Sequence, residues 1–289
     1  MTQPGGSRIA DRGWVRAGLA ALALLASTVV AAQGFDHGHA AWTALLKKHV
    51  VLVDGGKASQ VRYADFQSDR AALKRYLDSL SKVTPEAFGG WSKSQQVAFL
   101  INAYNAFTVE KILTRWPDIR SIWDFGKIFG NPFKDRFFRL LGREFSLDAV
   151  EHETLRKPGA YDEPRVHFAV NCASVGCPML REEAYVADRL DAQLEDQTRR
   201  FLSDRSRNRA NADAGRLEVS KIFDWFKEDW TSGYRGFDGK REPIRTREQF
   251  FAAYAALLAD DPAQRKAIQD GKAELRFLDY DWALNDAKR

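Results

Sequence analysis

The run from Arg165 to Pro178 carries both cysteines of the chain, Cys172 and Cys177, together with His167, Asn171 and Ser174. A thiol attacks carbonyl carbon only as the thiolate, so it needs a base and a local positive field. Proline is favoured at the first position of a helix, so Cys177-Pro178 predicts a helix start directly after Cys177. The dipole of that helix would lower the thiol pKa. Cys177 is therefore the preferred nucleophile, with Cys172 as the alternative. His167 is the candidate base, and His152 is a second histidine upstream. The turn between the cysteines is built from small residues, which would leave its backbone N–H groups open to an oxyanion. Together these residues fit a cysteine-dependent hydrolase or transferase acting on an amide- or thioester-like bond.

Other readings fit the same residues. His167 and Cys172 would stand about 17 Å apart on extended chain, so the chain must turn back for them to meet. His167 also fits a core histidine bonded to a backbone carbonyl. The two cysteines fit a structural disulfide or a redox pair, in which case the domain is a non-catalytic binding or scaffolding module. A zinc site from His152, His167, Cys172 and Cys177 is disfavoured by the Cys-x4-Cys spacing. No metal and no cofactor is expected.

These groups must be positioned by neighbouring elements. Val166, Phe168 and Val170 alternate with His167, Ala169 and Asn171, which predicts a strand. The longest helix is expected from Ser92 or Ser94 to Arg115, ended by Trp116-Pro117. Asn102, Asn105 and Thr108 share one face of it. They fit either a substrate-facing amide row or ties to irregular backbone nearby. Asn171 and Ser174 complete the candidate substrate-binding set. Helices are further expected over 36–53, from Asp69 to Leu80, from Ser146 to Lys157, over 185–201, over 222–230 and over 247–258. Short strands are expected at 61–63, 217–219 and 274–280, and residues 120–145 read as an irregular aromatic region. The fold class is α+β, a helix-rich single domain with short strands.

Residues 1–32 read as a secretory signal peptide. Arg8, Arg12 and Arg16 precede an apolar stretch from Ala17 to Ala32, with small residues at 30–32. The stretch is shorter than the roughly 20 residues of a spanning helix, so no stable membrane span is expected after cleavage. Export to the periplasm or medium follows, with one domain over 33–289. Removing the leader lowers the formal charge from +5 to +3, by loss of Arg8, Arg12, Arg16 and Asp11. The densest basic cluster, Arg199 to Arg209, is interrupted by Asp204. Nucleic acid is therefore not an expected partner. A small-molecule or peptide-like ligand is, and no protein partner is identified.

Three segments resemble the DUF547 family: Leu100 to Ala106, the Ser146–Arg156 stretch with Glu151-His152, and His167 to Pro178. Val219 to Trp225 and Phe35-Asp36-His37 are similar to it as well. The resemblance implies a family of unassigned activity, with exported bacterial members and plant relatives that carry the domain behind coiled coils. A papain-like thiol fold is the expectation attached to it. Because the histidines precede the cysteines here, that fold would have to be permuted.

Overall fold

In the computed structural model the long helix runs Lys93–Leu113. It opens with a capping box: Ser92 Oγ accepts the Gln95 N–H, and Gln95 Oε1 accepts the Ser92 N–H. The structure describes Met1 and residues 34–126, 130–211, 215–231, 233–235, 239 and 242–287. Apart from Met1, the expected leader lies outside the described residues. Met1–Gly34 and Phe35–Arg289 are separate units, and the site lies within the second. Every residue of the long helix from Val97 to Val109 is buried. A helix covered on all sides is the centre of a domain.

Around it lie other helices and three small sheets. The first helix ends at His49, because the valine-rich run Val50–Val53 pairs antiparallel with Ala58–Val61 instead of continuing the helix. Arg70–Ser81 follows Asp69, whose carboxylate caps nothing and binds Lys48 and His49. The region expected to be irregular contains a hairpin, Phe138–Leu140 with Arg143–Phe145. In the third sheet Arg216–Val219 pairs antiparallel with Arg209–Asn211 and parallel with Glu274–Phe277. The helix expected over 247–258 breaks at Tyr254, and Pro262–Gln269 is a further helix capped by Asp261. No helix among the described residues is long and apolar enough to cross a membrane. The architecture is α+β, rich in helix, with short strands in small sheets.

The segment carrying His167 is not a strand. Pro164–Phe168 forms a 3-10 helix, started by Pro164 and by the Glu163 carboxylate, which accepts the Arg165 N–H. Alternation misled because both sides of the segment are buried. Val166 and Val170 pack into the larger core around the long helix, whereas Phe168 packs into a second core with Phe201, Phe223 and Trp230. The segment is a seam between two cores.

The predicted helix after Pro178 is also absent. The carbonyls there are committed elsewhere: Pro178 to the Asn171 amide, Met179 to Gln197 and Leu180 to Ser59. Those ties hold the segment on an irregular path, along which no i to i+4 ladder forms. A π-helix, Ala149–Leu155, replaces the α-helix expected after Ser146, whose hydroxyl accepts the Ala149 N–H.

The loop between the cysteines is held by the C-terminal segment. Val175 N–H donates to Ala283 O and Gly176 N–H to Asp281 O, both at 2.8 Å, and Asn285 N–H donates to Ala173 O at 3.1 Å. A Cβ on Gly176 would lie 2.9 Å from Asp281 N, so only glycine admits this approach.

Candidate active site

A cavity of about 320 Å³ opens where the two cores meet. Cys172, Cys177, His167 and His152, the four candidate catalytic residues, all line it.

His167 comes from the seam and is 2% exposed. Its Nε2–H donates to Asp229 Oδ2 at 2.8 Å, and Nδ1 lies 3.6 Å from Glu151 Oε1. The ring stacks on Phe226, with centroids 4.0 Å apart. Burial alone would push the imidazole pKa down, but the Asp229 and Glu151 carboxylates outweigh it and raise the pKa. The same pairing holds both carboxylates low against their own burial, Asp229 at about 2. Arg156 completes the clamp, donating to Asp229 Oδ2 at 2.6 Å and Oδ1 at 3.0 Å, a bidentate pair. Its guanidinium also donates to His152 Nδ1 and lies over Phe226. A guanidinium is only a donor, so this contact fixes Nδ1 of His152 as the acceptor.

Asp148, Glu151, His152 and Arg156 are supplied by the π-helix and its flanks. The wide turn is closed by the Arg156 N–H bonding to Glu151 O at 2.9 Å, five residues back.

The two thiols are free. The Cys172 N–H donates to Cys177 Sγ at 2.9 Å. Cys172 Sγ lies 3.0 Å from Ser174 Oγ and 3.3 Å from Tyr280 Oη. Burial raises the Cys172 pKa, but hydrogen bonds from Cys177, Ser174 and Tyr280 outweigh it and the net shift is downward. Cys177 moves the other way, raised well above its ordinary value by burial and by its neighbour Cys172. Between them, Cys172 is the thiol held for ionisation. Ala173 adopts φ 63°, a left-handed conformation that a non-glycine residue keeps only where its surroundings enforce it. Asn171 Oδ1 helps enforce it by accepting the Ala173 N–H at 3.0 Å.

The candidate substrate-binding residues sit differently, since none of them lines the cavity. Asn102 grips the backbone of Tyr185 through both amide atoms, donating to its O at 2.7 Å and accepting its N–H at 3.0 Å. Asn105 donates to Ala169 O at 2.9 Å and accepts the Asn171 N–H at 2.8 Å. Asn171 ties Ala173 to Pro178, and Ser174 faces Cys172 and Tyr280. The long helix thus places the histidine and thiol segments by bracing irregular backbone. Four of the expected oxyanion donors are committed elsewhere: the N–H groups of Ala173, Val175, Gly176 and Cys177 donate to Asn171, Ala283, Asp281 and Ser174. The fifth, Ser174 N–H, bonds the Cys172 sulfur alongside the hydroxyls of Ser174 and Tyr280.

Tyr104, Arg156, Asp229, Tyr280 and Trp282 were not singled out from the sequence. Asp229 lies 62 residues from the histidine it holds. The spacing of Leu278, Tyr280, Trp282 and Leu284 by twos was the readable signal for the tail.

These features define a helix-rich α+β protein with a thiol and a clamped histidine in one cavity. Residues 88–202 match the model of a family described as "Protein of unknown function, DUF547". Asp229, Tyr280 and Trp282 lie beyond the match. No curated protein and no solved structure matches the chain.

Proposed function

We propose that the protein is a thiol-dependent hydrolase or transferase acting on an amide- or thioester-like bond, with Cys172 as the nucleophile. What supports it is one observation: Cys172 Sγ, flanked by the Ser174 and Tyr280 hydroxyls, opens onto the same cavity as a histidine clamped by Asp229 and Glu151. The thiolate adds to the carbonyl carbon, and the resulting oxyanion is met by the Tyr280 hydroxyl on the cavity wall, while the Ser174 hydroxyl bonds the sulfur. Collapse expels the amine or thiol, which takes a proton from the His167 imidazolium. Water or an acceptor amine then releases the acyl group and restores the thiolate. The donors here are hydroxyls rather than a helix N-terminus, so a permuted papain-like arrangement would differ from papain-type sites in how its thiolate is held. Export to the periplasm or medium belongs to the same proposal.

Iodoacetamide titration of the reduced protein between pH 5 and 9 tests it. Cys172 is expected to alkylate with a pKa below the unperturbed value of about 8.5, and Cys172→Ser to lose that phase. An unperturbed titration would instead favour a binding module. The exposed indoles Trp123 and Trp225 at the cavity mouth support that second reading.

A further inference from the structure

We infer that Cys172 and Cys177 form a redox pair that reduces an organic hydroperoxide, with Cys172 as the attacking thiol and Cys177 as the resolving one. The inference rests on Cys172 carrying the thiolate, as proposed above, and adds a role for the second cysteine. Cys177 Sγ accepts the Cys172 N–H at 2.9 Å and the two thiol side chains hydrogen-bond one another, so the second thiol stands beside the first. The Tyr280 hydroxyl, 3.3 Å from Cys172 Sγ on the cavity wall, can bond the peroxide as the O–O bond lengthens, while the Ser174 hydroxyl, 3.0 Å from the sulfur, holds the thiolate. Phe133, Val170, Ile222, Trp225, Phe226 and Trp282 wall the cavity in front of the sulfur. Those walls suit an alkyl or aryl group, which is why the oxidant is an organic hydroperoxide rather than hydrogen peroxide.

The chemistry balances. The Cys172 thiolate attacks the terminal peroxide oxygen. The O–O bond breaks, and the alkoxide leaves as the alcohol with a proton from the His167 imidazolium. Cys172 is now a sulfenic acid, oxidised by two electrons, and the peroxide has been reduced by two. The Cys177 thiol attacks Cys172 Sγ, and its proton departs with the hydroxyl as water as the disulfide forms. A dithiol reductant restores the thiolate, the thiol and the histidine proton. Timing is built in. While Cys172 is anionic, its charge helps keep Cys177 protonated, and oxidation of Cys172 to a neutral sulfenic acid removes that restraint.

The test treats reduced, full-length protein with one equivalent of cumene hydroperoxide, with dithiothreitol as the reductant for turnover. Intact mass and peptide mapping without reduction should show a quantitative Cys172–Cys177 disulfide and release of cumyl alcohol. Dithiothreitol should restore both thiols. Cys177→Ser should stop at a sulfenic acid on Cys172 that dimedone traps, and Cys172→Ser should lose peroxide consumption. Wild-type protein in which Cys172 is oxidised to the sulfinic acid while Cys177 stays free would overturn the pair, as would untouched thiols. Iodoacetamide labelling of an untreated aliquot separates the failures. Rapid labelling of Cys172 without disulfide formation sinks the redox pair alone, whereas an inert Cys172 sinks the nucleophile reading with it.

Discussion

His39 and His167 are both withdrawn from water, 1% and 2% exposed, yet their surroundings drive them in opposite directions. His39 sits in an aromatic corner, with Nδ1 2.7 Å from Tyr76 Oη and the Phe35 ring edge-on at 5.2 Å. Burial dominates there and pulls its pKa down to about 4, so the ring is neutral. His167 meets equally severe burial, but two carboxylates face it and its pKa rises. Depth does not decide the protonation state of a buried imidazole. The balance of burial against the charges facing the ring does, and at His49 burial still wins although Asp69 bonds the ring at 2.8 Å. Of these two rings, the fold favours the neutral form of His39 and the protonated form of His167.

Removing the carboxylate that makes the difference is expected to have the largest effect. Asp229→Asn leaves His167 and Arg156 without their shared anion, and should destabilise the fold by about 3 kcal/mol at pH 7. Urea unfolding measures it, and an unchanged midpoint would show that the clamp holds no buried charge. The same clamp has a pH signature. Asp229 falls from 3.8 to about 2 on folding, so its contribution is present above pH 4 and is lost as pH falls through that interval. His167, with its pKa raised, contributes most below about 6.5 and loses that contribution as pH rises through its folded value.

His39 should show the reverse at a comparable or somewhat smaller size. Its folded pKa is depressed from 6.5 to about 4, so the unfolded chain takes up the proton first. Stability should drop by roughly 3 kcal/mol as pH falls from 6.5 to 4. His39→Gln keeps an acceptor for Tyr76 and should flatten that part of the profile. Thermal melts across the interval that remain parallel for the two proteins would remove the contrast between the histidines.

The smallest effect concerns the sulfur. Tyr280→Phe deletes one hydroxyl at 3.3 Å from Cys172 Sγ and should raise the Cys172 pKa, with little change in stability. An unaltered alkylation profile would remove Tyr280 from the site.

Much of this was legible in sequence where the determinants are local. Ser92 and Gln95 announce the start of the long helix, and the Cys172–Cys177 run announces the thiols. Asn102 and Asn105 were readable as a polar seam, and their ties to Ala169, Asn171 and Tyr185 are the ordinary outcome for buried amides. The strand expected at His167 failed because alternation marks two environments, and here those are two cores rather than two faces of a sheet. The helix expected after Pro178 failed because its carbonyls are claimed by side chains far along the chain, which no local pattern records. Asp229 was invisible for the same reason. In sequence it is one acid beside Trp230, and only the folded chain sets it against His167.

The π-turn at Ala149–Leu155 works as a phase shift in the chain. One residue more than an α-turn requires is wound into it, so everything after Glu151 is rotated by roughly 100° from where an ordinary helix would leave it. That offset lets adjacent Glu151 and His152 both border the cavity while Arg156 reaches Asp229. Deleting a single residue here would restore α-helical periodicity and leave every side-chain type nearby unchanged. It would nonetheless swing Arg156 off the Asp229 clamp. The stretch therefore tolerates changes of identity better than changes of length, a constraint written in residue count rather than chemistry.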